Sequence, residues 1–200
     1  MAEHYFTKTP ESAHKPLRLQ AEYRGHVLSF QTDSGVFSRT EVDKGSRALL
    51  AALPERIAGD VLDMGCGYGA LGVCLKKNNP DCRLTMADIN ERAVALAAEN
   101  AAKNGLDAEV LQSDGFGALA GRKFDWIVTN PPIRAGKQVV YQLFADAAAA
   151  LNAQGKFMLV IRKQQGAPSA VTALQALFQS VNVLEKKGGY WVLCCTNGKQ

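Results

Sequence analysis

The sequence lacks any long hydrophobic run and has few histidines. None of its apolar stretches approaches the roughly 20 residues that a transmembrane helix requires. Residues 1–15 are polar and do not contain the apolar segment of a secretory signal peptide. We therefore expect a protein without membrane spans that works in the cytoplasm.

The cysteine and histidine spacing typical of a metal site is also absent. The five cysteines show no CxxC spacing, and the three histidines all lie within the first 26 residues. Zinc sites are usually built from closely spaced cysteine and histidine ligands, so this composition predicts no metal site. We expect reduced, buried thiols instead.

Acidic residues are scarce in the last third of the chain. Residues 134–200 contain eight lysines and arginines against two acids, although the formal net charge of the whole chain is only +4. A basic region of this kind indicates contact with nucleic acid, but a solvated surface without a partner would look the same.

The pattern of apolar residues predicts one α/β domain, which suits a chain of 200 residues. Strand patterns at 60–64, 83–87, 108–111, 124–129 and 156–161 alternate with helical patterns at 69–78, 90–104, 138–152 and 168–178. Such alternation predicts a doubly wound, mostly parallel sheet with helices on both faces. The segments 181–184 and 190–195 flank a glycine pair too closely for a helix, and they predict an antiparallel C-terminal hairpin at one edge.

Residues 1–54 precede this alternation. We predict a mobile or loosely docked arm at 1–16, a β-hairpin of 17–23 and 26–31, and a helix that Gly45 or Ser46 caps and Pro54 ends. The chain then divides into an N-terminal extension at 1–54, packed on the core, and a core at 55–200.

A glycine-rich segment follows the first core strand, from Asp63 to Gly72. Glycines let the backbone approach a ligand closely, and the start of a helix offers free N–H groups. Gly67 to Gly72 also reads as a dinucleotide fingerprint, with Asp88 placed 21 residues after Gly67. An NAD-dependent oxidoreductase is therefore an alternative, although Asp63 at the strand end favours a cationic ligand over a pyrophosphate.

Further polar residues follow the next strands, where the ligands of such sheets bind. Asp88 can accept hydrogen bonds from both hydroxyls of a ribose, and Ile89 can pack on an adenine ring. Polar groups of Ser113, Asp114 and Gly115 can form a hydrogen bond with the adenine amino group, and Phe116 can pack beside the adenine ring. Capping of the following helix is the structural alternative for Ser113 and Asp114.

The segment Asn130-Pro131-Pro132 follows the strand at 124–129. Because proline has no N–H, we expect the carbonyls of Asn130 and Pro131 to lack local donors. The Asn130 amide oxygen and the Pro131 carbonyl could then accept both hydrogens of a planar NH₂ group and orient its lone pair. This pattern predicts Asn130, Pro131 and Pro132 as the catalytic segment, and the alternative is a turn without chemistry.

These motifs together resemble the class I S-adenosylmethionine (SAM)-dependent amino methyltransferases. The resemblance rests on the D-x-G-C-G-x-G string at 63–69, on Asp88 and on the Asn-Pro-Pro segment. Residues 35–39 and the Asp43-x-Gly45-Ser46 segment are similar to those of bacterial small-subunit ribosomal RNA guanine-N2 methyltransferases, and the similarity covers roughly residues 30–195. It implies a Rossmann-like sheet of seven strands, SAM as cofactor, and RNA as substrate, with guanine N2 of ribosomal RNA as the target.

The same resemblance implies the roles of individual residues. The cofactor would contact Asp63, Gly65, Cys66, Gly67, Gly69, Asp88, Ile89, Ser113, Asp114, Gly115 and Asn130. Phe37 would lie over the cofactor or the target base. Independently of the resemblance, Arg134, Lys137, Arg162 and Lys163 follow two strand ends on the ligand side and could hold RNA phosphates. Ile133 stands where related enzymes carry an aromatic ring that can stack on a flipped base. Phe37, Phe116 or Tyr141 could take over that stacking.

Four other functions stay open at this point. The planar NH₂ group could belong to a protein glutamine or to adenine N6 rather than to guanine. The glycine segment could bind NAD, as described above. The protein could also bind SAM without turning it over. The sequence does not indicate which oligomeric state the protein adopts.

Overall fold

The computed structural model describes residues 8–9 and 12–197. Residues 1–7, 10 and 11 of the predicted arm, and Lys199 of the basic C-terminal third, lie outside the described residues. The strands are β1 (Leu17–Tyr23), β2 (His26–Thr32), β3 (Asp60–Met64), β4 (Arg83–Asp88), β5 (Glu109–Gln112), β6 (Phe124–Thr129), β7 (Leu151–Arg162), β8 (Ser180–Lys187) and β9 (Tyr190–Thr196). The helices are α1 (Lys44–Ala52), α2 (Ala70–Asn78), α3 (Glu91–Lys103), α4 (Lys137–Ala150) and α5 (Ala167–Gln175).

The main sheet has seven strands in the order β5-β4-β3-β6-β7-β9-β8. The first five of these run parallel, and β9 pairs antiparallel with both β7 and β8. The predicted doubly wound sheet with a C-terminal antiparallel hairpin is therefore confirmed. The strand order reverses between β3 and β6, and ligands of such sheets bind at the carboxyl ends of the strands on either side of that point.

Helices cover both faces of the sheet. Adjacent residues of a strand point to opposite faces, and where both are apolar both faces have to be buried. Val61 and Leu62 of β3 are both fully buried but belong to different clusters. The cluster that contains Val61 includes residues of α1, α2, α3 and the N-terminal hairpin, whereas the cluster that contains Leu62 includes residues of α4 and α5.

Strand β7 begins earlier than the sequence pattern predicts. Leu151, expected inside a helix, instead pairs with Phe124, and the register shifts between Phe124 and Trp126. Gly155 permits this path, since a Cβ there would lie 3.0 Å from the Phe124 carbonyl oxygen. The prediction of a helix through residue 152 is therefore wrong at its end, because burial of Leu151 and strand pairing outweigh the helical propensity of the preceding alanines.

The N-terminal hairpin forms its own two-stranded sheet and packs on α3. Asn100 of α3 accepts a hydrogen bond from the Gln31 N–H at 2.7 Å and donates one to the Gln31 carbonyl at 2.8 Å. Phe30 of β2 meets the ring of Tyr68 edge-on, with 5.8 Å between ring centroids. The hairpin thus supports the glycine segment that contains Tyr68, while the domain boundary at residue 54 stays a prediction.

The part of the predicted arm that is described is docked on the protein. Asp33 accepts hydrogen bonds from the His14 ring and from the Lys15 N–H, each at 2.5 Å. Arg92 of α3 donates to the Ser12 carbonyl at 2.9 Å. Across residues 8–9 and 12–197, no helix has the length and apolar character needed to cross a membrane.

Candidate active site

A cavity of about 950 Å³ opens at the carboxyl ends of β3, β4, β5 and β6. Its walls come from the glycine segment, from the ends of the neighbouring strands, from one face of α4, and from the segment between β2 and α1. The Thr129 hydroxyl at the end of β6 donates to the Met64 carbonyl at the end of β3 at 2.7 Å. This contact brings Asn130 and the glycine segment to the same cavity, as predicted.

The glycine segment leaves open space beside its backbone. Gly65 and Gly67 have φ values of 70° and 56°, and a Cβ built at either position would meet no atom within 4 Å. The amides of Gly65 and Cys66 both donate to the Ala87 carbonyl, at 2.8 and 3.1 Å. The buried Cys66 also lines the cavity, and its burial raises the pKa of the thiol well above the ordinary value. The segment is thus held rigidly while a ligand can approach its backbone closely.

Gly69, predicted to contact the cofactor, lies between Tyr68 and Ala70, which both line the cavity. It precedes α2 with φ 89°, and a Cβ there would come within 3.3 Å of the Ala97 Cα in α3. It is not among the described residues that line the cavity. The physical requirement at Gly69 is close packing of α2 against α3.

Asp63 is fully buried beneath the glycine segment. Its Oδ2 accepts a hydrogen bond from the Gly72 N–H at 2.8 Å, whereas its Oδ1 has no hydrogen-bond partner among the residues described. Burial raises the pKa of Asp63 to about 7, although the Gly72 N–H opposes that change. Asp63 is not among the described residues that line the cavity, so the predicted attraction of a cationic ligand would have to act through the buried Oδ1 or through water.

Asp88 and Ile89 line the cavity at the end of β4. The Asp88 carboxylate accepts hydrogen bonds from the amides of Gly67 and Asn90, at 2.8 and 2.9 Å. Burial raises the pKa of Asp88, and the hydrogen bonds from Asn90, Gly67 and Ile89 oppose the change. Asn90 caps α3 through the Ala93 N–H, so Asp88 is left to face the cavity, where each oxygen can accept a further hydrogen bond.

The segment after β5 forms another wall. Ser113, Asp114, Gly115 and Phe116 all line the cavity. The Ser113 hydroxyl is used locally, since it donates to the Gly115 carbonyl at 2.7 Å and accepts from the Ala118 N–H at 3.1 Å. The exposed Asp114 is therefore the side chain of this segment that is better placed to bind a ligand.

Asn130 is held by two residues that precede it by more than eighty positions. Its Nδ2 donates to Asp43 Oδ2 at 2.9 Å and to the Ser46 hydroxyl at 3.1 Å. Because an ionised carboxylate can only accept, the Asn130 atom that faces Asp43 must be the NH₂ group. The remaining polar atom of the side chain, the amide oxygen Oδ1, is left as an acceptor in the cavity.

Asp43 also caps α1, accepting hydrogen bonds from the amides of Gly45 and Ser46 at 2.8 and 3.2 Å. The prediction of Gly45 or Ser46 as the cap is therefore wrong. The Asp43-x-Gly45-Ser46 pattern could have indicated this cap from sequence, but not its contact with Asn130.

The carbonyl of Pro131 does have a local donor, contrary to prediction. It accepts a hydrogen bond from the Ile133 N–H at 2.9 Å, across Pro132 with φ −76° and ψ 76°. These angles define an inverse γ-turn, which two prolines in succession do not prevent because the donor lies beyond them. A carbonyl oxygen has two lone pairs, so Pro131 can still accept one further hydrogen bond.

A smaller cavity of about 290 Å³, here called the second cavity, adjoins the first at Asn130 and Pro131. Phe37 lines both cavities, and Ile133, Arg134 and Arg162 line the second one. Lys137 and Lys163 line neither, so only part of the predicted substrate set is brought together. Sequence reasoning missed Tyr190, which also lines the second cavity and comes from the C-terminal hairpin.

The family model of the methyltransferase small domain matches residues 27–194 of this chain. The chain belongs to this family. Membership confirms the predicted enzyme class, a SAM-dependent methyltransferase, and SAM as its cofactor.

Two relatives show how far the similarity extends. The Bacillus subtilis protein YbxB is 43% identical over 196 residues, which cover 96% of this chain and 98% of YbxB. The ribosomal RNA small subunit methyltransferase C of Pasteurella multocida is 44% identical over 126 residues, which cover 63% of this chain and 37% of that protein. The chain thus spans little more than a third of the length of the second relative.

Two solved structures share the fold. The T. thermophilus 16S rRNA N2 G1207 methyltransferase (RsmC), in complex with AdoMet and guanosine, has a TM-score of 0.83 and 31% identity. The match covers 94% of this chain and 52% of that one. A methyltransferase from Pyrococcus furiosus has a TM-score of 0.68 at 21% identity, and this likeness shows the fold alone. The predicted Rossmann-like methyltransferase fold is confirmed.

Proposed function

We propose that this chain methylates the exocyclic N2 amino group of guanine in ribosomal RNA. The observation that carries the proposal is the fixed amide of Asn130. Asp43 and Ser46 hold its nitrogen, which leaves its oxygen available as a hydrogen-bond acceptor on a residue that lines both cavities. An acceptor at that point suits a substrate NH₂ group.

SAM is the cofactor of this family, and the main cavity has features that suit it. The open space beside Gly65 and Gly67 accommodates a ligand against the backbone. Oδ1 of Asp63, which has no hydrogen-bond partner in the described part of the chain, favours a cation such as the ammonium group of SAM. We further propose that Asp88 accepts hydrogen bonds from the ribose hydroxyls, with Ile89 and Phe116 beside the adenine ring and Asp114 near its amino group.

The chemistry required of the chain is mainly positioning. When bound, SAM would supply a methyl group on a positively charged sulfur, and the amine nitrogen would form its new bond to that carbon as the carbon–sulfur bond breaks and S-adenosylhomocysteine leaves. Asn130 Oδ1 and the Pro131 carbonyl would accept the two N–H groups and turn the nitrogen lone pair toward the methyl group. No strong base is needed, because the nitrogen becomes cationic and can then release a proton to water.

The comparisons support RNA as the substrate and guanine as the target. The T. thermophilus relative was solved with guanosine, and its name describes N2 methylation of 16S rRNA. The Pasteurella relative is also named as a ribosomal RNA methyltransferase. In this chain, Arg134 and Arg162 at the second cavity supply positive charge suited to RNA phosphates.

The test is methylation by wild-type protein and by Asn130→Ala. Purified 16S rRNA and small ribosomal subunits are incubated separately with labelled SAM, and the modified nucleoside is identified by mass spectrometry. We expect N2-methylguanosine with wild type and turnover that is lower by roughly 10²-fold or more in the variant, with nearly unchanged SAM affinity. Asn182→Ala, at an exposed position on β8, is the control and should behave as wild type.

Other outcomes would identify the alternatives or exclude the proposed role. Label in N6-methyladenosine or in a protein glutamine, with none in guanosine, would replace the proposed substrate. Normal turnover by Asn130→Ala would show that the Asn130 amide does not position the amine.

A further inference from the structure

The second cavity continues from Asn130 on the side away from the glycine segment. Its walls beyond Asn130 include the apolar residues Ile133, Val160 and Ile161 and the ring of Tyr190. The proposed methyl acceptor has to place its amine at Asn130, and the rest of its ring then extends into this cavity. The second cavity is therefore the part of the molecule that contacts the acceptor's ring.

Tyr190 has a defined position in this wall. It lies opposite Arg162 in the β7–β9 register, and the Arg162 guanidinium carbon is 5.2 Å from its ring centroid. A Cβ at Gly45 would come 3.1 Å from Tyr190 Cε1, so the first turn of α1 packs directly against the ring. The carbonyl of Gly189, the residue before Tyr190, accepts a hydrogen bond from the Lys163 N–H at 2.8 Å. A ring fixed in this way loses little conformational freedom when a ligand binds.

The charges around the second cavity favour a ring that carries an anionic group. Arg134 and Arg162 are both exposed and line it. Among the described lining residues the acidic side chain is Asp43, whose Oδ2 already accepts hydrogen bonds from Gly45, Ser46 and Asn130. A planar ring with a phosphate attached, which is a nucleotide, matches these walls.

Other aromatic residues near the site are placed differently. Phe116 lines only the main cavity, and Tyr141 lines neither cavity. Phe37 lines both cavities and lies on the segment between β2 and α1, whereas Tyr190 belongs to a strand of the main sheet. Ile133 contributes apolar contact but has no ring.

We propose that Tyr190 is the residue on which the target base stacks, and that Arg162 beside it contacts the phosphate of the same nucleotide. This inference rests on the proposed function, because it takes the methyl acceptor to be a nucleotide. Arg162 can serve the ring and the phosphate together, since its guanidinium has five N–H donors besides its flat face. Tyr190 would position the base and would take no part in the transfer itself.

The test measures binding of guanosine 5′-monophosphate by calorimetry in the presence of S-adenosylhomocysteine, which cannot donate a methyl group. We expect Tyr190→Ala to weaken this binding roughly 10- to 100-fold, the usual effect of removing a ring that stacks on a base. Tyr190→Phe keeps the ring and should bind within about threefold of wild type. Tyr190→Leu keeps apolar contact with Gly45 without a ring, and it should lose affinity as Tyr190→Ala does.

Tyr141→Ala is the matched control. Tyr141 is also half-buried and has a cation, Lys137 Nζ, 5.1 Å from its ring centroid, but it lies outside both cavities. Its variant should bind the nucleotide like wild type, and SAM affinity should be unchanged in all four variants. Thermal unfolding of each variant shows that the protein is folded.

The outcomes separate failure of the stacking role from failure of the proposed function. Unchanged affinity in Tyr190→Ala, an equal loss in Tyr190→Phe, or no nucleotide binding by wild type would each overturn the stacking role. If wild type binds the nucleotide through Tyr190 but methylates no guanine in RNA, the proposed function fails and the stacking role stands.

Discussion

Replacing Asp63 with asparagine removes a fully buried carboxylate of which only one oxygen has a hydrogen-bond partner within the described part of the chain. Burial raises the pKa of this carboxyl to about 7, against 3.8 for an ordinary aspartate. An unfolded chain exposes Asp63 to water, where it regains its ordinary pKa. The folded protein therefore binds a proton that the unfolded chain releases, over the pH range between those two values.

The sign of the effect on stability follows from this difference. Between about pH 4 and pH 7 the folded state holds the extra proton, so the free energy of unfolding falls as the pH rises. The decrease is about 1.4 kcal/mol per pH unit, and it ends when the folded state also ionises at about pH 7. From pH 5 to pH 8 the wild-type protein should lose roughly 3 kcal/mol through Asp63.

Asparagine does not titrate, and its amide oxygen can still accept the Gly72 N–H. The difference in unfolding free energy between Asp63→Asn and wild type should therefore move in favour of the variant by roughly 3 kcal/mol from pH 5 to pH 8. Urea unfolding of both proteins at the two pH values, without SAM, measures this change. Any constant effect of the substitution cancels, as does the titration of shared groups that do not interact with Asp63.

The cofactor supplies a second check. An ammonium group near Oδ1 would favour the ionised form of Asp63 and lower its pKa again. Saturating SAM should therefore reduce the pH dependence of the difference. A difference between the two proteins that does not change with pH, in the absence of SAM, would refute the assignment of a raised pKa to Asp63.

Two further predictions concern the cofactor and the RNA. Asp88→Ala should weaken SAM binding by ~1–3 kcal/mol, the loss of hydrogen bonds to a charged acceptor, and calorimetry that shows unchanged affinity would remove Asp88 from the site. Arg134→Ala should weaken RNA binding and lower the slope of log affinity against log salt by about one. Lys137→Ala removes the same charge outside both cavities and should change the slope less; an equal slope for Arg134→Ala and wild type would mean that Arg134 faces bulk water.

Much of the core could be predicted from local patterns. Apolar residues repeat every two residues in strands and every 3.6 residues in helices. The bounds predicted for β3 to β6 from these patterns agree with the observed bounds within about two residues. The exception, the start of β7, depends on Leu151 pairing with Phe124, a contact that the local pattern does not contain. The alanine-rich segment before it favours a helix, and only the pairing ends it at Ala150.

The candidate site was predictable in its position but not in its contacts. Parallel strands end at the same edge of the sheet, so Asp88 and Asn130 had to come near the glycine segment. The orientation of the Asn130 amide depends on Asp43, which lies 87 residues away in the chain. Local periodicity cannot indicate a contact between residues so far apart in the chain. The sequence pattern around Asp43 indicates its role as a helix cap, but not its contact with Asn130.

The sequence by itself determined the fold, the family and the segments that meet at the cavity, because these follow from short-range patterns and from the rule that places ligands at strand ends. Tertiary structure decided which residues line the two cavities and which are buried behind them. Asp63 is buried behind the glycine segment, Gly69 serves helix packing, and Tyr190 reaches the second cavity from the C-terminal hairpin. Such outcomes depend on how distant elements pack, and packing is set by the whole set of contacts rather than by any one segment.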